Sequence, residues 1–381
     1  MRALIIGGGI GGLTAALALR RAGFEASIYE SAEVLQPVGK GIWVPTNAMR
    51  VLAALGVAGD VQSAGWALQA IELCTRYGGL LQRIDLDTIR ATYGYTTISI
   101  HRSELQKALA SQLPAEALHL GKRCTEFAED GGQLVVRFAD GTEAAGDVLI
   151  GADGIHSTIR ATLFPSVALR DVGQTTYRGV AALELPPHLQ RICREVWGGG
   201  ARMGFSAIGP NEVYWFAPVT APAGRPDPPG GVAGMLGQLY DNFPAPVPEI
   251  IACTPPQDIL RTDLYDLVPL RCWHRGRVVL LGDAAHAMTP NLGQGGAQAI
   301  EDAFVLAQAL AQSPDVEDGL HYYERQRRRR ANWITRRARQ YGTWAHLERR
   351  PAQQMRDFLM RHTPSRVPQR TLAFLYGSGP V

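Results

Sequence analysis

Cysteine is scarce in this 381-residue chain: Cys74, Cys124, Cys193, Cys253 and Cys272 are scattered, odd in number, and form no C-x-x-C pair. That set predicts no disulfide framework, zinc site or iron–sulfur cluster, and it fits a reducing compartment. None has an activating neighbour in sequence, so inert thiols are expected. The two signs of charge are nearly balanced, at +3 overall, which gives no reason to expect a nucleic-acid or membrane partner. No apolar run is long enough to span a bilayer, and no internal repeat is visible. A metal-ligand cluster and a nucleophile triad are also missing. What remains is enough chain for one large domain or two intimate ones, with ordinary apolar and charged fractions. The expectation is a cytoplasmic monomer or homodimer.

The opening stretch MRALIIGGGIGGLTAALALRRAG admits two readings, a secretory signal or a nucleotide-binding turn. Residues 2–6 are short and apolar, as in a strand buried on both faces. Gly7, Gly9 and Gly12 follow in G-x-G-x-x-G spacing, with Gly11 between them, and a helical pattern then runs to Gly23. A second strand, EASIYE, ends at Glu30. Each part has a physical task. The first glycine permits the turn, the second admits a pyrophosphate, and the third lets helix and strand pack closely. The helix N-terminus offers free N–H groups to phosphate, and the acid can accept bonds from ribose hydroxyls. A signal peptide rarely carries five glycines before its apolar segment and leads to no second strand and acid. The turn is a dinucleotide site.

The fingerprint alone does not separate NAD from FAD. Two later stretches do: DVLIGADGIHSTIR (147–160) and GRVVLLGDAAHAMTPNLGQGGAQAIEDAFVLAQAL (276–310). Each is a buried strand running into a turn and a helix. With the opening turn they resemble the flavin-dependent aromatic hydroxylases, the single-component FAD monooxygenases that include p-hydroxybenzoate, urate and alkylquinolone hydroxylases. The resemblance spans residues 2 to about 340. It implies an FAD held tightly but without a covalent bond, and NADH or NADPH as a transient co-substrate with no Rossmann domain of its own. It also implies hydroxylation of a small aromatic or heteroaromatic substrate by O2 through a flavin C4a-hydroperoxide.

By the same resemblance Asp283 meets a ribityl hydroxyl, Asp153 and Gly154 sit near the pyrophosphate, and Arg102 opens a helix beside the phosphate and ribityl chain. GKGIWVPTNAMRVLAALG (39–56) runs past the flavin ring. Gly293, Gly295 and Gly296 let the backbone approach the ring's pyrimidine edge, with a helix N-terminus aimed at it. Read without the family, Asp153 and Asp283 are ordinary turn or N-cap residues, and His286 is a hydrogen-bonded anchor.

Residues 68–100 and 170–265 change to short alternating segments that read as antiparallel strands, interrupted by the Pro/Gly-rich loop TAPAGRPDPPGG. The predicted fold is α/β: a Rossmann-like FAD-binding domain (1–67, 101–169, 266–340), an inserted antiparallel β-sheet substrate layer (68–100, 170–265) and a C-terminal helical segment (341–381). A turn at Gly209–Pro210–Asn211 would place Arg202, Gly204, Ser206, Tyr214 and Phe216 on one face. Arg178, Arg202, Tyr214 and Phe216 are the expected substrate contacts, and Arg202, Tyr214, Pro290 and Asn291 the expected catalytic set. Urate hydroxylase has an Asp where this chain has Asn291, a neutral amide that cannot act as a base. That departure points away from urate, and the stretch EVWGGGARMGF followed by MTPNLGQGGAQAIEDAF resembles the alkylquinolone hydroxylases more closely.

The basic run ERQRRRRANWITRRARQ reads as the wet face of a helix covering the flavin domain, with an interface-seeking amphipathic helix as the alternative. Other functions on the same frame are a flavin-dependent epoxidase or reductase, or a non-catalytic FAD-binding redox sensor.

Overall fold

The computed structural model describes residues 1–35, 40–363, 371–377 and 380. Gly39, the first residue of the stretch expected beside the flavin ring, lies outside them. Among the described residues no helix is long and apolar enough to cross a membrane.

Four sheets organise the chain. The apolar strand Arg2–Ile6 sits inside a six-stranded sheet, flanked by Glu25–Tyr29 and Val148–Gly151, with Val278–Leu280 beyond the latter. These four are parallel and buried on both faces beyond their first residues, which is why ALII, VLIG and VVL are apolar runs rather than alternating ones, with Ser27 the polar residue inside Glu25–Tyr29. The helices Ile10–Arg21 and Gly295–Gln312 cover this sheet and pack on each other. A three-stranded antiparallel meander, Cys124–Asp130, Gln133–Phe138 and Glu143–Gly146, stands beside it.

The second large sheet has seven strands, in the order Leu260–Leu267, Leu169–Ala182, Glu212–Thr220, Arg202–Gly209, Ile192–Trp197, Ala70–Thr75, Leu80–Asp85. Its pairings are antiparallel except one: Ile192–Trp197 runs parallel to Ala70–Thr75. That exception arises where the two separate stretches of chain meet, since no hairpin joins them. The stretch 68–100 is also not all strand, because Leu86–Tyr93 is a helix capped by Asp85. One face of this sheet is packed by Met203, Phe205 and Trp215 against the helices Gly231–Tyr240 and Val247–Ala252. The other face carries Tyr214 and Phe216, which pack on Gly41 and Trp43. A small sheet of Gly41–Val44, Ile98–His101 and Trp66–Ala67 lies in the remaining space.

The basic run is not simply a wet face. The helix Val316–Ala345 exposes Arg325, Arg329, Arg336 and Arg337, yet Arg327 and Arg330 are buried. Arg327 pairs with Glu301 (2.5 Å) and Asp302 (2.7 Å), and Arg330 with Glu301 (3.0 Å). The helix also passes straight through the expected boundary at 340–341. Tyr341 and Ala345 are packed under the large sheet, with Tyr341 edge-on to Trp197, so breaking the helix there would uncover them. His286 is the anchor expected of it, fully buried with Nε2 2.6 Å from Asp302. Of the cysteines, Cys74, Cys124 and Cys193 are buried and Cys253 is exposed. Cys272 meets His274 and Glu324, and the Glu324 carboxylate also accepts the Trp273 N–H, so the three brace the chain against the long helix.

Arg327→Met would leave Glu301 and Asp302 buried with too little counter-charge. The expected loss is roughly 3–5 kcal/mol, read as a lower urea midpoint with an unchanged slope.

Candidate functional site

The glycine turn forms one wall of a cleft of about 470 Å³ lined also by Glu30, Arg102, Gln106, Lys122, Asp153 and Gly154. Its glycines divide the work. Gly7 has φ +108°, and a Cβ there would press on the Ala152 carbonyl. A Cβ at Gly12 would overlap the Gly7 carbonyl oxygen, so helix and turn touch backbone to backbone. A Cβ at Gly9 meets nothing within 4 Å, because that position opens onto the cleft. Gly11 and Gly12 do not line the cleft. Gly11 packs instead on Leu281 and Ala299.

Glu30 braces the turn: its carboxylate accepts from the Gly8 N–H at 2.6 Å and the Ala32 N–H at 2.9 Å, leaving lone pairs facing the cleft. Asp153 uses one oxygen to accept the Ile159 N–H at 3.1 Å, so the helix-start reading holds for that atom. Its other oxygen is buried without a partner, and burial holds the carboxyl above its usual range. An orphan acceptor beside an open glycine and a cation fits a dinucleotide that brings hydroxyl donors and phosphate charge.

A second cluster lies where the two large sheets face each other. Arg102, the first residue of the helix Arg102–Ala110, is desolvated, which lowers its guanidinium's affinity for a proton. Asp283 works against that, and Arg178 adds to it by repulsion. Tyr214 belongs to the same group: burial raises its phenol above the ordinary value while Arg178 and Arg102 pull it back. Four expected site residues, far apart in the chain, therefore share one electrostatic neighbourhood. Two cations meet one carboxylate there, so the local field is net positive. Asp283 is exposed at the start of its short helix, and Arg178 has no acidic partner among the described residues.

The expected face exists. Gly204 is paired with Phe216 and Ser206 with Tyr214, and Arg178 lies opposite Phe216 on the next strand. The Tyr214 ring packs on Gly41, where a Cβ would collide with it. Trp43, which sequence reading passed over, donates to Ser206 at 2.9 Å and sits edge-on to Phe216 at 5.4 Å. Ser206 is held in turn by Ser99 at 2.8 Å. The loop residue Gly293 faces Trp43, Gly296 faces Ile42, and Gly295 starts the helix Gly295–Gln312. Pro290 is exposed on that loop.

Arg202 and Asn291 are elsewhere engaged. Arg202 is 1% exposed, and its guanidinium contacts Glu195 and the Asn291 carbonyl oxygen and donates from Nε to His346 at 3.2 Å. The Asn291 amide donates to Thr289 and to the Ala338 carbonyl, both at 2.9 Å. The long helix comes this near because position 342 is glycine, where a Cβ would strike Asn291. Every strong group of this corner has a protein partner. Glu195 and His346 carried no spacing signal, since each meets Arg202 only through sheet pairing or helix packing. Glu195 was findable in principle, lying on a strand two residues from Trp197, whose indole it accepts at 2.8 Å.

His346 is neutral. Burial first, and then the Arg202 charge, push its pKa down to about 3. Accepting from Arg202 at Nε2 puts its proton on Nδ1.

The chain matches the family model described as FAD binding domain over residues 1–338. It is 41% identical over 370 residues to the aurachin C monooxygenase/isomerase of Stigmatella aurantiaca, covering 97% of this chain and 96% of that protein. It is 33% identical over 347 residues to an FAD-dependent urate hydroxylase of Klebsiella pneumoniae, covering 89% of each. The crystal structure of Klebsiella pneumoniae HpxO complexed with FAD and uric acid superposes with a TM-score of 0.92 at 30% identity, over 100% of this chain and 97% of that one.

Gly9→Val should leave the apo fold intact and cut FAD retention at least about tenfold, measured by visible absorbance after gel filtration, because the new atoms fill space meant for a ligand. Gly12→Val should fail to give folded protein. For His346, the unfolded chain takes up a proton below about pH 6.5 and the folded chain does not until near 3. Stability should thus fall with decreasing pH by about 1.4 kcal/mol per unit from this group, and His346→Gln should flatten that slope in urea titrations at pH 7, 6 and 5.

Proposed function

We infer what this chain oxidises from its membership: it belongs to the FAD binding domain family and is an FAD-dependent monooxygenase. Bound FAD, reduced by NADH or NADPH and then reacted with O2, supplies an electrophilic oxygen atom. Gly7, Gly9, Glu30, Arg102, Asp153, Gly154 and Asp283 are the residues we assign to holding it. The substrate is a heteroaromatic ring that carries an oxygen substituent and needs no deprotonation by the protein before it is hydroxylated.

The observation that carries this reading is the closed corner around Arg202. Its charge is neutralised by Glu195, and Asn291 offers only a satisfied amide, so this corner holds neither a base nor a spare cation. The relative that acts on aurachin C is therefore a better guide to the substrate than those that act on urate. Recognition falls to Arg178 and Tyr214. Burial keeps the Tyr214 phenol protonated through neutral pH, so its O–H donates to a ring oxygen, and Arg178 stabilises negative charge that develops there. Phe216 and Trp43 supply flat apolar walls that orient the ring and exclude water.

Arg178→Met should raise the substrate KM by about ten- to a hundredfold, the value of one charge-assisted hydrogen bond, with substrate-free NAD(P)H oxidation unchanged. Arg178→Lys should recover part of it. The assay is NAD(P)H oxidation across quinolones, hydroxypyridines, phenols and purines, with peroxide and product mass followed together. A product heavier by one oxygen from a quinolone or hydroxypyridine is the expected result; turnover of urate alone, untouched by Arg178→Met, would overturn the assignment.

A further inference from the structure

The helix Arg350–His362 presents its apolar side to solvent. Met355, Phe358 and Leu359 stand at i, i+3, i+4 spacing and are 60%, 56% and 45% exposed. The buried side carries Arg356, which is 3% exposed. Its guanidinium donates to the carbonyls of Trp344 and Ala345, pairs with Asp357 at 2.8 Å, and lies over the Trp197 ring at 4.9 Å. Rolling the helix to bury the apolar stripe would pull this arginine from the Trp344 and Ala345 carbonyls and from the Trp197 ring. The outward stripe is therefore built in rather than left over.

Beside the helix is the turn between Ala70–Thr75 and Leu80–Asp85, where Tyr77 is 80% and Leu80 51% exposed. Tyr77, Phe358, Arg350 and Arg361 line one cleft. The helical period sets Arg350 and Arg361 along one flank of the stripe, and both are exposed, as is Arg349. Glu348 and Asp357 lie in the same cleft and Asp85 lines a second one with Arg361, but Arg76 and Arg83 of the neighbouring hairpin join the rim and, with the three arginines, outnumber them. Aromatic and aliphatic groups standing out of a surface whose rim is cationic match the boundary between anionic headgroups and acyl chains.

We propose that this face docks on an anionic lipid bilayer. Met355, Phe358, Leu359 and Tyr77 enter the headgroup–acyl boundary, and Arg349, Arg350 and Arg361 meet lipid phosphates. A second copy of the chain fits the face less well, since a two-fold contact would bring the arginines of both copies together.

The test is flotation of the FAD-loaded protein with phosphatidylcholine vesicles, with and without phosphatidylglycerol. The protein should float with the anionic vesicles and be released by salt. The triple variant Met355→Ser, Phe358→Ser, Leu359→Ser should lose about tenfold or more of the bound fraction, while keeping its FAD and its substrate-free NAD(P)H oxidation. Arg350→Gln with Arg361→Gln should abolish the preference for anionic vesicles. Absence of wild-type binding to either vesicle would overturn the proposal. So would a triple variant that binds vesicles normally but turns a dimer into a monomer, which would assign the face to a second copy.

Discussion

Glu301 and Asp302 on one helix and Arg327 and Arg330 on another meet inside the protein, the two acids wholly buried, and the rest of the site is hung from that meeting. Glu301 also accepts from Asn47 at 2.5 Å, in the stretch that leads from Trp43, and Asp302 holds His286 ahead of the glycine loop. Arg330 reaches the carbonyls of Phe374 and Leu375, so even the C-terminal turn is tied to the same charges. Buried ion pairs recover little more than they cost to desolvate, so their main effect here is registry. Only one rotation and one depth of the long helix satisfy all of these groups. That same setting brings Gly342 against Asn291 and His346 against Arg202.

The large sheet repeats the principle on a smaller scale. Arg202 is buried with Glu195, Asn291 and His346 around it, and burial keeps that histidine uncharged so that it can accept rather than repel. A charge fully used inside the protein is unavailable to a ligand. Arg178, two strands away and without an acid of its own among the described residues, is the cation left to act at the site. Two arginines on one sheet face thus have opposite fates, decided by what else reaches each of them.

Much of the fold was legible. The unbroken apolar runs announced a doubly covered parallel sheet, the glycine spacing announced its turn, and the alternation around Gly209–Pro210–Asn211 set the pairing of Gly204 with Phe216. The wet-face reading of the basic run failed at Arg327 and Arg330 because helical spacing tells which residues share a face and not what that face meets. Arg356 is the same lesson inverted, an arginine facing inward while Phe358 faces out. The parallel junction beside Ile192–Trp197 was hidden for a related reason: nothing local marks which distant strand fills an open sheet edge.

The sequence alone determined the local geometry of this protein, because strand and helix periods, glycine turns and buried apolar runs depend on neighbours within a few residues. It also determined one wall of the dinucleotide cleft, the glycine turn and Glu30, which lie along one short βαβ stretch, while Arg102 and Asp153 reach that cleft only in the folded chain. The tertiary structure decided which charges are spent on one another and which stay free. That outcome depends on partners more than a hundred residues apart, as with Arg202 and His346, whose contact exists only once helix and sheet have excluded water between them.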